Sequence, residues 1–139
     1  MSKHWQVFEH TADVGIAAKA DTMGELFEAL GDGLSGIICR RDRVDSQDTR
    51  EIHIAAEDRE ALAMDFLSEV LNIIQSDGFL VGYVRVDAIS DTDVRAELIG
   101  EPYDQARHEL HTEVKAITYH LLKIAQEEGR WVGRVILDL

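Results

Sequence analysis

The chain has one cysteine, Cys39, and one proline, Pro102. A lone cysteine excludes an internal disulfide framework and a cysteine-based zinc site. It fits a reducing cytoplasm, with a buried structural thiol as the plain expectation. No apolar run approaches the roughly 20 residues of a membrane span. The opening Met1-Ser2-Lys3-His4-Trp5 lacks the basic-then-apolar layout of a signal peptide. We therefore expect a cytoplasmic protein with no membrane partner. Basic residues are scarce, with 14 Lys and Arg against 27 Asp and Glu and a formal net charge of -13. Phosphates repel such a surface, so stable direct binding to nucleic acid is not expected. Docking on a basic partner protein and cation binding both stay open. Several signatures are absent: a Gly-x-Ser-x-Gly elbow, an EF-hand loop, a His-Glu-x-x-His helix and a phosphate-binding loop.

What is present suits one domain over residues 1–139, with hydrophobic residues at 45%. Residues 4–9 alternate weakly as a first strand, and a turn follows over residues 10–13. Residues 14–20 continue as a second strand, in which Gly15 leaves room for close backbone approach or a bulge. Thr22 and Glu25 have capping-box spacing. Leu26, Phe27, Leu30, Leu34, Ile37 and Ile38 then recur as one face of a helix. Gly31, Gly33 and Gly36 weaken that helix by about 1 kcal/mol each relative to alanine, and would let it pack closely on a sheet. Residues 40–50 read as a charged, solvated seam.

Residues 51–56 read as a short strand and Asp58 as the cap of a second helix reaching about residue 76. Asp65 sits in that helix beside its core positions. Gly78 is its stop. Residues 79–89 and 94–100 read as antiparallel partners around a turn at 90–93. Residues 101–111 read as a polar loop. Residues 112–120 fit either a strand or a short helical turn. Residues 121–126 and 131–139 read as a closing hairpin. Strand, helix, strand, strand thus occurs twice. The expected class is α+β: two interlocked modules, mostly antiparallel sheets and two main helices. The outer module takes about residues 1–40 and 112–139, and the inserted one about 50–100.

The stretch His10-Thr11-Ala12-Asp13-Val14-Gly15 and the ending Val135-Ile136-Leu137-Asp138-Leu139 each place an acid at a strand end. We expect the fold to bring Asp13 and Asp138 together as the functional site. Hard cations such as calcium or magnesium want carboxylate, carbonyl and water oxygens. Two aspartates with a terminal carbonyl or carboxylate make a partial cage that solvent or a partner completes. His108 and His111 invite zinc, but loop histidines at that spacing are usually incidental. His10 or His120 with an acid could serve acid–base chemistry. Lys115 is a cation among apolar neighbours: either a surface stem or a charge aimed at an acid or phosphate.

Taken together, His10-Thr11-Ala12-Asp13-Val14-Gly15, Glu113-Val114-Lys115-Ala116-Ile117-Thr118-Tyr119-His120, Gly100-Glu101-Pro102-Tyr103-Asp104 and the apolar ending resemble the archease family. The likeness spans the chain and keeps the motif order. It implies a non-enzymatic cytoplasmic accessory protein of RNA-splicing ligases of the RtcB type. These join a 2′,3′-cyclic phosphate or 3′-phosphate end to a 5′-hydroxyl after guanylylating their own histidine with GTP and divalent metal. Family members speed that step and help multiple turnover, and have been proposed as chaperones or modulators. The resemblance places a divalent-metal site (calcium, magnesium or manganese) on Asp13, Asp138 and Leu139. It sets Lys115 beside it, with His10 and His120 on the same activating surface. Leu139 stands where the family often has isoleucine, and Asp65-Phe66 where it often has an acid followed by Trp. The alternatives are a metal-dependent hydrolase of small phosphate esters and a plain metal- or protein-binding module.

Overall fold

A computed structural model describes residues 3–10 and 13–139; residues 1, 2, 11 and 12, and the side chains of Glu9 and His10, lie outside the description. The strands are β1 (Lys3–His10), β2 (Asp13–Ala20), β3 (Asp48–Ala55), β4 (Phe79–Ile89), β5 (Asp93–Pro102), β6 (Ala116–Glu127) and β7 (Arg130–Asp138). The helices are α1 (Met23–Ile38) and α2 (Arg59–Ser76), with one 3₁₀ turn at Arg41–Arg43. Two antiparallel sheets result, ordered β1-β2-β7-β6 and β3-β5-β4. This is the expected α+β class. The middle of the chain gives strand, helix, strand, strand. The outer part gives the same order preceded by one further strand, β1.

Both helices begin where their caps are written. The Thr22 hydroxyl accepts the Glu25 N–H at 3.1 Å, and the Asp58 carboxylate accepts the Ala61 N–H at 2.8 Å. α2 stops at Gly78, whose φ of +64° suits glycine. The hairpin between β6 and β7 turns on Glu128 and Gly129, at φ 52° and 78°. Two left-handed residues match the twist of a two-residue hairpin.

α1 is buried along most of its length and lies between the two sheets. Against the four-stranded sheet, Gly33 and Gly36 face Trp5 of β1. A Cβ at either position would approach the indole to 3.3 and 3.1 Å. Against the other sheet, α1 runs along β4, which is an edge strand. An edge strand carries unpaired N–H and C=O groups that recruit foreign strands. Here α1 and the following turn satisfy them. Asp32 accepts the Val84 N–H and Glu28 the Val86 N–H, both at 2.9 Å; Arg41 donates to the Gly82 carbonyl at 2.8 Å and Ser35 to that of Val81. α2, from the middle of the chain, packs on β6 of the other sheet as well as on its own. Each helix therefore joins one sheet to the other.

Three local readings change. The seam over residues 40–50 is not all loop: it holds the 3₁₀ turn and the first residues of β3. β6 starts at Ala116, which resolves residues 116–120 as strand rather than helical turn. Its pairing with β7 breaks between Thr118 and Lys123, and Leu121 there takes φ 58°. Residues 101–111 are not simply a polar loop: Glu101 and Pro102 end β5, and Glu101 and His108 are buried.

Candidate functional site

The end of the four-stranded sheet gathers the chemistry. In the β2–β7 register, Asp13 faces Asp138. Directly opposed residues of an antiparallel pair point to one face, with Cβ atoms roughly 5 Å apart. Burial tells which face. Val14, Ile16, Ala18 and Ala20 of β2 and Gly133, Val135 and Leu137 of β7 are buried on one face, and Gly15 and Ile136 are buried on the other. Asp13 and Asp138 have the opposite parity and stand on the face turned away from α1. Asp13 is half-buried and Asp138 exposed. Phe8 covers part of the same face. A Cβ on Gly15 would sit 2.1 Å from the Phe8 ring, so glycine here makes room for an aromatic beside the acids.

The other expected residues are placed as follows. The Lys115 N–H donates to the Asp138 carbonyl at 2.8 Å, and Ala116 pairs with Asp138 in register. Lys115 is thus held one residue from the acid pair. Leu139 is half-buried and packs on the hydrophobic core, so its main-chain oxygens stand one residue past Asp138. The backbone of His10 pairs with Asp13; its imidazole, and Thr11 and Ala12 of the expected turn, lie outside the described residues. His120 is exposed on β6. Asp65 is exposed on α2, away from the buried positions it adjoins in sequence.

Like charges directly opposed across two strands oppose folding unless a cation lies between them. A calcium- or magnesium-type ion takes carboxylate and carbonyl oxygens. Among the described residues, no group of three His, Cys, Asp or Glu could hold a metal ion. Among the described residues the side chains thus supply two carboxylates, and main-chain oxygens, water or a partner can add further donors. This donor set fits an open half-site for a hard cation. It does not fit zinc, which prefers nitrogen and sulfur. The zinc candidates are otherwise engaged. His108 accepts the Asp104 N–H on Nδ1 and bonds Glu101 through Nε2, each at 2.8 Å, and His111 bonds Glu109 at 2.9 Å.

Residues 103–115 strap the ends of both helices and of β7. Tyr103 N–H donates to the Gly78 carbonyl at 2.7 Å, His111 N–H to Ile38 at 2.8 Å, and Arg40 N–H to Glu109 at 3.0 Å. The bond to Ile38 satisfies a carbonyl that the end of α1 leaves orphaned, and the other two tie the strap to the residues just past each helix. A charge cluster in which Glu101 and His108 are buried and Arg107 is exposed pins the strap. Glu101 accepts from Arg107 at 2.5 Å, from the Asp45 N–H at 2.8 Å and from His108. Because His108 accepts on Nδ1, it is Nε2 that carries the proton to Glu101. The Arg107 guanidinium, followed by the Asp45 and His108 donors, outweighs desolvation and holds the Glu101 carboxyl down at about 2. Under the strap lies a cavity of about 690 Å³, lined by Ile38, Ile74, Leu80, Leu110 and Val114, with Lys115 among its polar groups.

Sequence reasoning missed the Glu101–Arg107–His108 cluster. Its signal was present in Glu101, Arg107 and His108 lying within eight residues, but nothing local distinguishes a buried ion pair from loop charges.

Comparison with known proteins places residues 5–139 in a match to the family described as the archease protein family (MTH1598/TM1083). The chain is 37% identical to protein archease of Thermococcus gammatolerans, covering 99% of both chains. It is also 37% identical to protein archease of Methanopyrus kandleri, covering 97% of this chain and 99% of that one. The solution structure of Methanobacterium thermoautotrophicum protein 1598 superposes with a TM-score of 0.81 at 31% identity, covering 97% and 98% of the two chains. The crystal structure of an archease, possible chaperone, from Thermotoga maritima gives 0.66 at 25% identity, covering 95% and 94%.

Proposed function

Because the chain belongs to the archease family, we propose that it is a non-catalytic accessory protein of an RtcB-type RNA-splicing ligase, promoting guanylylation and repeated turnover of that ligase. The observation that carries this reading is the Asp13–Asp138 register pair with Lys115 tied to its edge. Two carboxylates at the end of the sheet, held beside the main chain of Lys115, form a charged half-site that a partner can complete. The description of the Thermotoga relative as a possible chaperone fits an accessory protein equally well.

Asp13, Asp138 and the main-chain oxygens of Leu139 would hold a divalent cation. When bound, it supplies Lewis-acid charge for phosphate oxygens. The chain's own residues do the rest. The β2–β7 pairing fixes the two carboxylates relative to each other. The Lys115–Asp138 hydrogen bond fixes the lysine backbone beside them. Docking then presents this preformed cluster at the ligase's nucleotide pocket, where ordering of charged groups costs little further reorganisation.

The acidic surface supports a protein partner over RNA. With a net charge of -13, the free protein repels phosphates at range, whereas a basic protein surface is attracted. The test is multiple-turnover ligation by the cognate ligase. Asp13→Ala and Asp138→Ala are expected to fold as the parent does and to abolish stimulation. Full stimulation by both variants would remove the reading.

A further inference from the structure

The cavity beneath the strap is not used by the acid pair, yet Lys115 belongs to both. Its size lies in the range of ligand pockets, and its walls are mainly aliphatic. The walls are also preformed. The main-chain bonds to Gly78, Ile38 and Asp138 and the buried Glu101 cluster hold the strap in place without a ligand. At the cavity two large apolar side chains stand in solvent: Leu110 is 52% exposed and Tyr103 41%. Glu113 lines the same cavity together with His111 and Lys115, and Glu109, bonded to His111, flanks it on the strap; all four are exposed.

We propose that this cavity seats an apolar side chain carried on a basic segment of the protein partner. Leu110 and Tyr103 close on the anchor, and Glu109 and Glu113 meet the flanking Lys or Arg residues. Aliphatic walls favour an apolar side chain over a polar nucleobase. The net charge of -13, with Glu109 and Glu113 exposed at the rim, favours cations beside it. An anchor in a pocket ringed by polar contacts is the usual energetic centre of an interface. The seat lies next to Lys115 and therefore continues the surface that carries the acid pair. The identity of the partner rests on the proposed function; the site and its chemistry do not.

The test is binding of the cognate RtcB-type ligase to the full chain, followed by calorimetry at low and moderate salt. Three proteins are compared: the parent, Leu110→Glu and Asp138→Asn. Leu110 is exposed, so its replacement leaves the fold intact, which circular dichroism checks. Leu110→Glu is expected to weaken binding at least tenfold, and added salt to weaken the parent complex. Asp138→Asn is expected to fail to stimulate ligation, which reads the acid pair separately from the seat. If Leu110→Glu binds as tightly as the parent, the seat is overturned and the activator role stands. GMP or GTP shifting the amide resonances of the cavity walls in the free protein would make it a nucleotide pocket and also overturn it. If the parent neither binds nor stimulates the ligase, the activator role falls, and the assignment of this partner with it.

Discussion

At the scale of single residues, the opposed carboxylates are the feature that folding alone does not require. Like charges directly across two strands cost a few tenths to about 1 kcal/mol. In metal-free buffer, Asp13→Asn should therefore leave thermal stability unchanged or raise it slightly. Calcium or magnesium should stabilise the parent, by mass action on the folded state, and should do so far less for Asp13→Asn or Asp138→Asn. Thermal melts with and without the ion check this; equal shifts in parent and variants would contradict the site. Gly100 shows the opposite case, a residue fixed by space alone. A Cβ there would lie 1.8 Å from the Leu80 carbonyl oxygen. That clash is with backbone and cannot be relieved by a rotamer change. Gly100→Ala should cost about 3 kcal/mol or more in urea unfolding, although glycine to alanine elsewhere in a strand is often harmless.

At the scale of elements, α1 is the piece on which both sheets depend. Its acids take the place of a neighbouring strand for β4. Asp32→Ala leaves the Val84 N–H without its acceptor and removes the carboxylate facing Arg41. Losing a buried partner costs about 1–3 kcal/mol. Combined with Glu28→Ala it uncovers the β4 edge, so the double variant should also self-associate as concentration rises. Light scattering across a concentration series distinguishes that from simple destabilisation.

Both helices were legible because Thr22, Asp58 and Gly78 mark their ends and the apolar spacing marks their faces. The meeting of Asp13 with Asp138 was an expectation drawn from two strand ends, and the β2–β7 register bears out their proximity. What the sequence could not show was partnership at a distance. Glu28 and Asp32 look like the solvated side of a helix until β4 is seen against it. Glu101 and His108 look like loop polars until Arg107 closes over them. The break in β6 near Leu121 was hidden for a related reason: nothing in that aliphatic run signals a left-handed residue.

At the scale of the whole molecule, charge governs behaviour. Glu101 has its folded-state pKa depressed from 4.5 to about 2. A depressed carboxyl stabilises the fold at pH above its unfolded value and loses that contribution as pH falls toward the folded value. Stability should therefore decline between about pH 4.5 and 2. Burial acts oppositely on Asp32, raising its pKa despite Arg41, so its contribution runs the other way and favours the fold as pH falls. Glu101→Gln should be less stable at neutral pH and show a flatter decline across that window. Denaturant titrations at several pH values read this directly; an unchanged slope would show that the buried cluster does not control acid unfolding.

The central claim is that an acid pair at one sheet end arms a partner ligase without acting on RNA itself. The most direct measurement is the single-turnover rate of histidine guanylylation of the cognate ligase with GTP and divalent metal, with and without this protein. The account predicts a clear acceleration by the parent and none by Asp13→Ala or Asp138→Ala at matched, folded concentrations. An unchanged rate with the parent, or equal acceleration by the variants, would contradict it.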